Sequence, residues 1–142
     1  MQLVRHLLGN KPAGVVSIRP DVPVLDAIRL MAEHGTGSVL VMRGGTLLGI
    51  ISERDYARKV ALKGRASATT PVADIMSSPV VTVDPDATIH HCMHLMTNGR
   101  FRHLAVIEGS RVIGVVSIGD LVKALLELQQ NEIAQLQQYI SS

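Results

Sequence analysis

Tryptophan is absent from this chain and aromatic residues make up only 2% of it. Single-strand nucleic-acid binding uses aromatic platforms for base stacking, so that class of function is disfavoured. The core must be aliphatic, built from Val, Ile, Leu, Met and Ala, and 46% of the residues are hydrophobic. The single cysteine, Cys92, permits no internal disulfide and is compatible with a reducing compartment. Strong charge is also lacking: the net charge is +2 with no Lys/Arg-rich run, so no nucleic-acid footprint is indicated. No apolar run has the length of a membrane span. The opening Met1-Gln2-Leu3-Val4-Arg5-His6-Leu7-Leu8 is too short and too interrupted for a signal peptide. Together these absences predict a soluble, cytoplasmic protein without nucleic-acid or membrane partners.

What is present is an internal repeat. Residues 15–57 align with residues 80–122 at a constant offset of 65, without a gap. Leu30-Met31 meets Leu95-Met96, Val41 meets Val106, Gly44 meets Gly109 and Gly49 meets Gly114. Each repeat closes on the same pattern: Gly49-Ile50-Ile51-Ser52-Glu53-Arg54-Asp55 in the first, Gly114-Val115-Val116-Ser117-Ile118-Gly119-Asp120 in the second. A match through so many apolar positions implies one fold used twice.

Each repeat reads as β-α-β-β-α. A β-branched strand (Val15 to Ile18; Val80 to Val83) is followed by a Pro-Asp turn. Helical spacing then joins Val24, Ala27, Ile28 and Met31, and likewise Ile89, Cys92, Met93 and Met96. Two strands follow (Ser38 to Met42 with Thr46 to Ile51; His103 to Ile107 with Arg111 to Val116), turned by Gly44-Gly45 and Gly109-Ser110. A second helix begins at the Ser. The expectation is an α/β (α+β) fold of tandem, pseudo-symmetric β-α-β-β-α repeats with an N-terminal helix and an extended C-terminal helix.

Three segments lie outside the repeat. Leu3, Val4, Leu7 and Leu8 suggest a short amphipathic helix ahead of a break at Asn10-Lys11-Pro12. Residues 63–71 read as a polar linker, after which Thr70 is placed to cap, and Pro71 to start, a short helix through Met76. The last helix runs from about Ile118 towards Ile140 with Val122, Leu125, Leu126, Ile133, Leu136 and Ile140 on an apolar stripe. It is too long to be covered by a small domain, so the stripe implies a partner, most simply a homodimer. The organisation expected is residues 1–62 as N-terminal helix and first repeat, 63–71 as linker, and 72–142 as second repeat with the extended helix.

Ser-x-x-Asp at the start of a helix has two readings. It is a capping box, with the Ser at the N-cap and an acid three residues on. It is also a place for a nucleotide: a helix N-terminus suits phosphate, and a carboxylate accepts bonds from ribose hydroxyls. Asp55 also has Lys59 at i,i+4 as an ion-pair partner. His90, His91 and His94 resemble a metal set, since i,i+4 histidines share a helix face. They lie opposite the apolar stripe, however, and the first repeat has Leu25, Asp26 and Arg29 there, so no metal is expected.

The paired repeats, the two Gly-apolar-apolar-Ser-x-x-Asp ends and the run Arg102-His103-Leu104-Ala105-Val106 resemble a tandem cystathionine-β-synthase (CBS) domain pair, or Bateman module. The stretch Ser52 to Val60 is similar to stand-alone CBS-pair proteins of bacteria and plant organelles. The resemblance implies a regulatory, non-catalytic module whose two clefts between the repeats bind adenosine-containing ligands: AMP foremost, with ADP, ATP, S-adenosylmethionine and NAD(H) as alternatives. It assigns Asp55 and Asp120 to ribose, with Ser52 and Ser117 beside them. Ser17 and Thr82 make a nearby contact, and backbone groups of Val16 or Val81 read the adenine edge. Arg102 and His103, followed by Leu104, neutralise phosphates in the second cleft, and Arg54 serves either one.

There are two departures from the family pattern. Ala105 stands where proline is usual, and the first repeat carries Gly37-Ser38-Val39 in place of Arg102-His103-Leu104. Two chemically different sites are therefore expected. A regulated protein partner is implied but not identified. The rival readings are a constitutive dimerisation or scaffold module, and a small enzyme using the histidine face, which no nucleophile-base pair supports.

Overall fold

The computed structural model describes residues 2–9 and 15–141; the break at Asn10-Lys11-Pro12 lies outside them. In chain order the elements are α1 (Val4–Leu8), β1 (Ser17–Ile18), α2 (Val24–His34), β2 (Ser38–Arg43), β3 (Thr46–Ser52), α3 (Glu53–Tyr56), β4 (Thr82–Val83), α4 (Ile89–Gly99), β5 (His103–Glu108), β6 (Arg111–Ser117) and α5 (Ile118–Ser141). A π-helical turn, Ala57–Ala61, continues α3, and a 3₁₀ turn spans Val72–Asp74. The β-α-β-β-α order expected for each repeat is observed, although the first strands shrink to two residues each.

Matched residues build matched sheets. In one, β1 runs parallel to β2 and β2 antiparallel to β3; β4, β5 and β6 do the same in the other. Each hairpin turns through two residues, with Gly44 and Gly109 at positive φ in the first turn position, where glycine avoids the Cβ clash. Both sheets carry a bulge in the same place, between Val41 and Met42 and between Val106 and Ile107. The helices α2 and α4 end on matched left-handed residues, Gly35 and Arg100.

The chain divides into two units, each with its own aliphatic core. One holds Val24, Ala27, Met31, Val39, Val41, Ile51 and Val60; the other holds Val83, Ile89, Cys92, Met96, Leu104, Val106, Val116 and Leu121. Burial raises the pKa of the Cys92 thiol.

The segments that complete these cores do not follow sequence order. Val4 and Leu7 of α1, which precedes the first repeat, are buried in the core of the second. Val72 and Ile75, which precede the second repeat, are buried in the core of the first. The backbone bonds match. Val4 and Arg5 donate to the carbonyls of Ala87 and Pro85, while Val72 and Ala73 donate to those of Val22 and Pro20. Arg5 also grips the Asp86 carboxylate through Nε and Nη2, which raises the guanidinium pKa.

Residues 63–71 are likewise tied down. The Thr70 and Ser67 carbonyls accept from Val24 and Leu25, and the Ser67 hydroxyl meets that of Tyr56 at 2.7 Å. Thr70 does not cap: its hydroxyl donates to the Ala66 carbonyl at 2.7 Å, and Pro71 occupies the N-cap of a turn that stops at Asp74.

Candidate functional site

Antiparallel register brings the N-terminal end of each central strand beside the C-terminal end of its hairpin partner. Ser38 pairs with Ser52, and His103 with Ser117. The parallel strand adds Ser17, opposite Leu40, and Thr82, opposite Ala105. Side chains two apart along a strand share a face, and laterally paired residues do too. Ser17, Ser38 and Ser52 therefore lie on one face at one end of the first sheet, and Thr82, His103 and Ser117 on the corresponding face of the second. The opposite face carries Val39, Val41 and Ile51, or Leu104, Val106 and Val116, into the cores. Leu104 is therefore a core residue, and only its backbone is available to the site.

The residue before each of these pairs fixes the entry to the following helix. The Gly37 carbonyl accepts from the Glu53 N–H at 3.0 Å, and the Arg102 carbonyl from the Ile118 N–H at 2.9 Å. The Arg102 side chain is exposed and His103 is half-buried. Ser38 is only 4% exposed, so in the first repeat this corner is filled by protein. There Thr36 Oγ1 donates to the Ser38 carbonyl at 3.1 Å and accepts from its N–H at 3.3 Å, a brace absent from the second repeat, where Phe101 stands at the matching position.

Both Ser-x-x-Asp patterns form reciprocal caps. The Ser52 N–H donates to Asp55 Oδ2 at 3.0 Å and the Asp55 N–H to Ser52 Oγ at 3.1 Å; for Ser117 and Asp120 the distances are 2.8 and 3.2 Å. The Asp55 carboxylate has partners beyond its cap. Ser52 Oγ donates to its Oδ2 at 3.0 Å, while the Ser77 hydroxyl and Lys59 Nζ each reach Oδ1 at 3.1 Å. The Asp55 side chain is only 12% exposed, and Lys59 also donates to the Ile75 carbonyl at 3.0 Å. The position matching Lys59 is Ala124, buried in the other core. Arg54 is half-buried on α3, and Val81 is 39% exposed just ahead of β4. Ser77, 22 residues from Asp55, gives no local signal in the sequence.

His90, His91 and His94 are exposed on α4, where His94 Nε2 pairs with Asn98 Nδ2 at 2.9 Å. Among the described residues no group of three or more His, Cys, Asp or Glu side chains is arranged to hold a metal, and no helix is long and apolar enough to cross a membrane.

The CBS domain family model matches residues 11–62 and 72–127. The mitochondrial CBS domain-containing protein CBSX3 of Arabidopsis thaliana is 42% identical over 125 residues, 84% of this chain and 61% of that protein, so the chain spans less than two thirds of that relative. A solved protein with CBS domains from Burkholderia ambifaria MC40-6 superposes with a TM-score of 0.85 at 44% identity, covering 89% of this chain and 95% of that one. A CBS domain protein of Pyrobaculum aerophilum, solved in complex with AMP, shares the fold at 24% identity with a TM-score of 0.76, over 91% of this chain and 99% of that one.

Proposed function

This chain belongs to the CBS domain family, as two CBS domains in tandem, and from that premise we propose that it is a regulatory module sensing an adenosine-containing nucleotide. The observation that carries the reading is the pairing of a Ser-x-x-Asp cap with hydroxyl-bearing strand residues at the same end of each sheet. Asp120 takes the ribose hydroxyls, with Ser117 and Thr82 beside it, and the Val81 backbone reads the adenine edge. Arg102 and His103 balance the phosphates. Asp55, Ser52, Ser17 and the Val16 backbone, with Gly37 and Ser38 beside them, form the equivalent first-repeat site, and Arg54 supplies its positive charge.

The second-repeat site is the stronger of the two. A guanidinium and an imidazole stand there where the first repeat has glycine and serine, and charge-assisted bonds to phosphate are the stronger kind. AMP is the foremost ligand, followed by ADP, ATP and NAD(H). The module catalyses nothing itself. It works in the cytoplasm as a homodimer that passes the binding event to a protein partner, and a ligand shifts that equilibrium only by its differential affinity for the two states.

One observation favours a scaffold role for the first repeat. The Asp55 carboxylate is already engaged by Ser52, Ser77 and Lys59. Calorimetric titration with AMP, ATP and NAD separates the readings. Heat is expected with at least one ligand, and Asp120→Ala is expected to abolish binding at the second site while the fold persists. No heat with any of the three excludes the sensor for these ligands. Unchanged affinity with a lowered melting temperature leaves Asp120 as a cap alone, a loss of about 1 kcal/mol.

A further inference from the structure

Helix α5 carries two separate apolar stripes. The inner one, Leu121, Ala124, Leu125 and Leu128, follows the i, i+3, i+4, i+7 spacing of a helix docked on its own core, and ends there. The outer one is Val122, Leu126, Gln129, Ile133, Leu136 and Ile140. Its steps alternate between four and three residues, the 3.5-residue period of a coiled-coil seam. Leu126, Ile133 and Ile140 fall on a positions; Val122, Gln129 and Leu136 fall on d. The five apolar members are 44–80% exposed. From Gln129 onward every described residue of α5 is exposed, so about 20 Å of helix extends past the inner stripe. An extension of that length is marginal in water by itself, which calls for a covering surface.

We propose that this surface is the α5 helix of a second copy, aligned parallel, with Gln129 facing Gln129 in the seam. The inference deepens the homodimer reading above and rests on it. Three features select the occupant. A heptad seam fits another seam, not a sheet or a groove. Ile at a with Leu at d, as at Ile133, Leu136 and Ile140, is the combination that favours two parallel strands. Side-chain polarity then sets the direction. In parallel alignment the two Gln129 amides meet and bond each other, and Glu132 at g faces the partner's Gln137 at e. In an antiparallel pairing that overlaps the whole seam, Gln129 instead faces the partner's Ile133, leaving an amide against an apolar side chain. Glu132 there meets the partner's Glu132, a like-charge contact. A single polar layer of this kind fixes register at some cost in stability.

The test is oxidative cross-linking of the full chain at low micromolar concentration, beside light scattering of the unmodified protein. Gln129→Cys is expected to yield a covalent dimer at least tenfold faster than Asn131→Cys, which lies on the outer face of the same helix. Ile133→Lys in the Gln129→Cys background is expected to abolish the difference, with the melting curve of the remaining fold preserved. Equal rates for the two cysteine variants, or a rate unaffected by Ile133→Lys, overturn the seam. Preferential joining of Leu126→Cys to Leu136→Cys in a mixture overturns the parallel direction. A monomer by light scattering overturns the homodimer reading itself, whereas a dimer whose Gln129→Cys variant fails to cross-link overturns the seam alone.

Discussion

Asp55 and Asp120 occupy the same place in their repeats and are held differently. Ser-x-x-Asp was legible in the sequence as a cap or a ribose site, and the Asp55–Lys59 pair as an i,i+4 contact. Ser77 was not, because its hydroxyl arrives from a separate segment whose path only the folded chain defines. That segment also explains a glycine. A Cβ on Gly49 would sit 2.9 Å from the Ser77 carbonyl oxygen and 2.6 Å from the Met76 sulfur; one on Gly114 would sit 2.7 Å from Leu8 Cδ2. The first obstacle includes backbone fixed by the Ile50–Ser77 bridge, with bonds of 3.0 and 2.8 Å. The second is the end of a side chain that can rotate. Gly49→Ala is therefore expected to destabilise by about 2–3 kcal/mol and Gly114→Ala by about 1 kcal/mol or less, as overpacking allows. Urea titration checks this: equal midpoint losses would show that the Ser77 segment yields as readily as Leu8.

At the scale of elements, hydrophobic periodicity and the constant offset disclosed both sheets, both hairpin turns and the helices between them. They did not disclose which core each leading segment enters. The gapless match begins only at residue 15, and the segments ahead of it obey a different offset: Val4, Leu7 and Leu8 correspond to Val72, Ile75 and Met76 at a spacing of 68. Five residues with three apolar positions carry too little pattern to align alone, and adjacency in sequence suggests the wrong neighbour. Burial assigns Val4 to the second core and Val72 to the first, each with no exposed surface. Truncating either to Ala removes two methyl groups and leaves a cavity, a cost of about 2 kcal/mol. Hydrogen exchange should locate that cost. Val4→Ala is expected to lower amide protection in β5 and β6, and Val72→Ala in β2 and β3. Protection lost chiefly in β2 and β3 for Val4→Ala would contradict the assignment of α1 to the second core.

For the whole molecule, the shared backbone of the two repeats makes the side chains that differ at matched site positions the informative part of the chain. The backbone bonds that position the site are repeated: Gly37 to Glu53 recurs as Arg102 to Ile118. What changes is the side chain carried there, from none to a guanidinium. Because Arg102 serves the fold through its carbonyl and its side chain is exposed, truncating it should leave the unliganded melting temperature unchanged. Its effect should appear only with ligand. A nucleotide bound to the native state alone, at a hundred times its Kd, stabilises by about 2.7 kcal/mol. For a chain of this size that is a rise in Tm of roughly 10 °C. If Arg102 and His103 read phosphate, AMP should give that rise at concentrations where adenosine gives little, and Arg102→Ala should reduce the AMP shift to the adenosine value. Equal shifts from AMP and adenosine in the unmodified protein would mean that the second site binds the nucleoside and that these two residues do not read the phosphate. Thermal melts across a common ligand series, at fixed protein concentration, decide between the two outcomes.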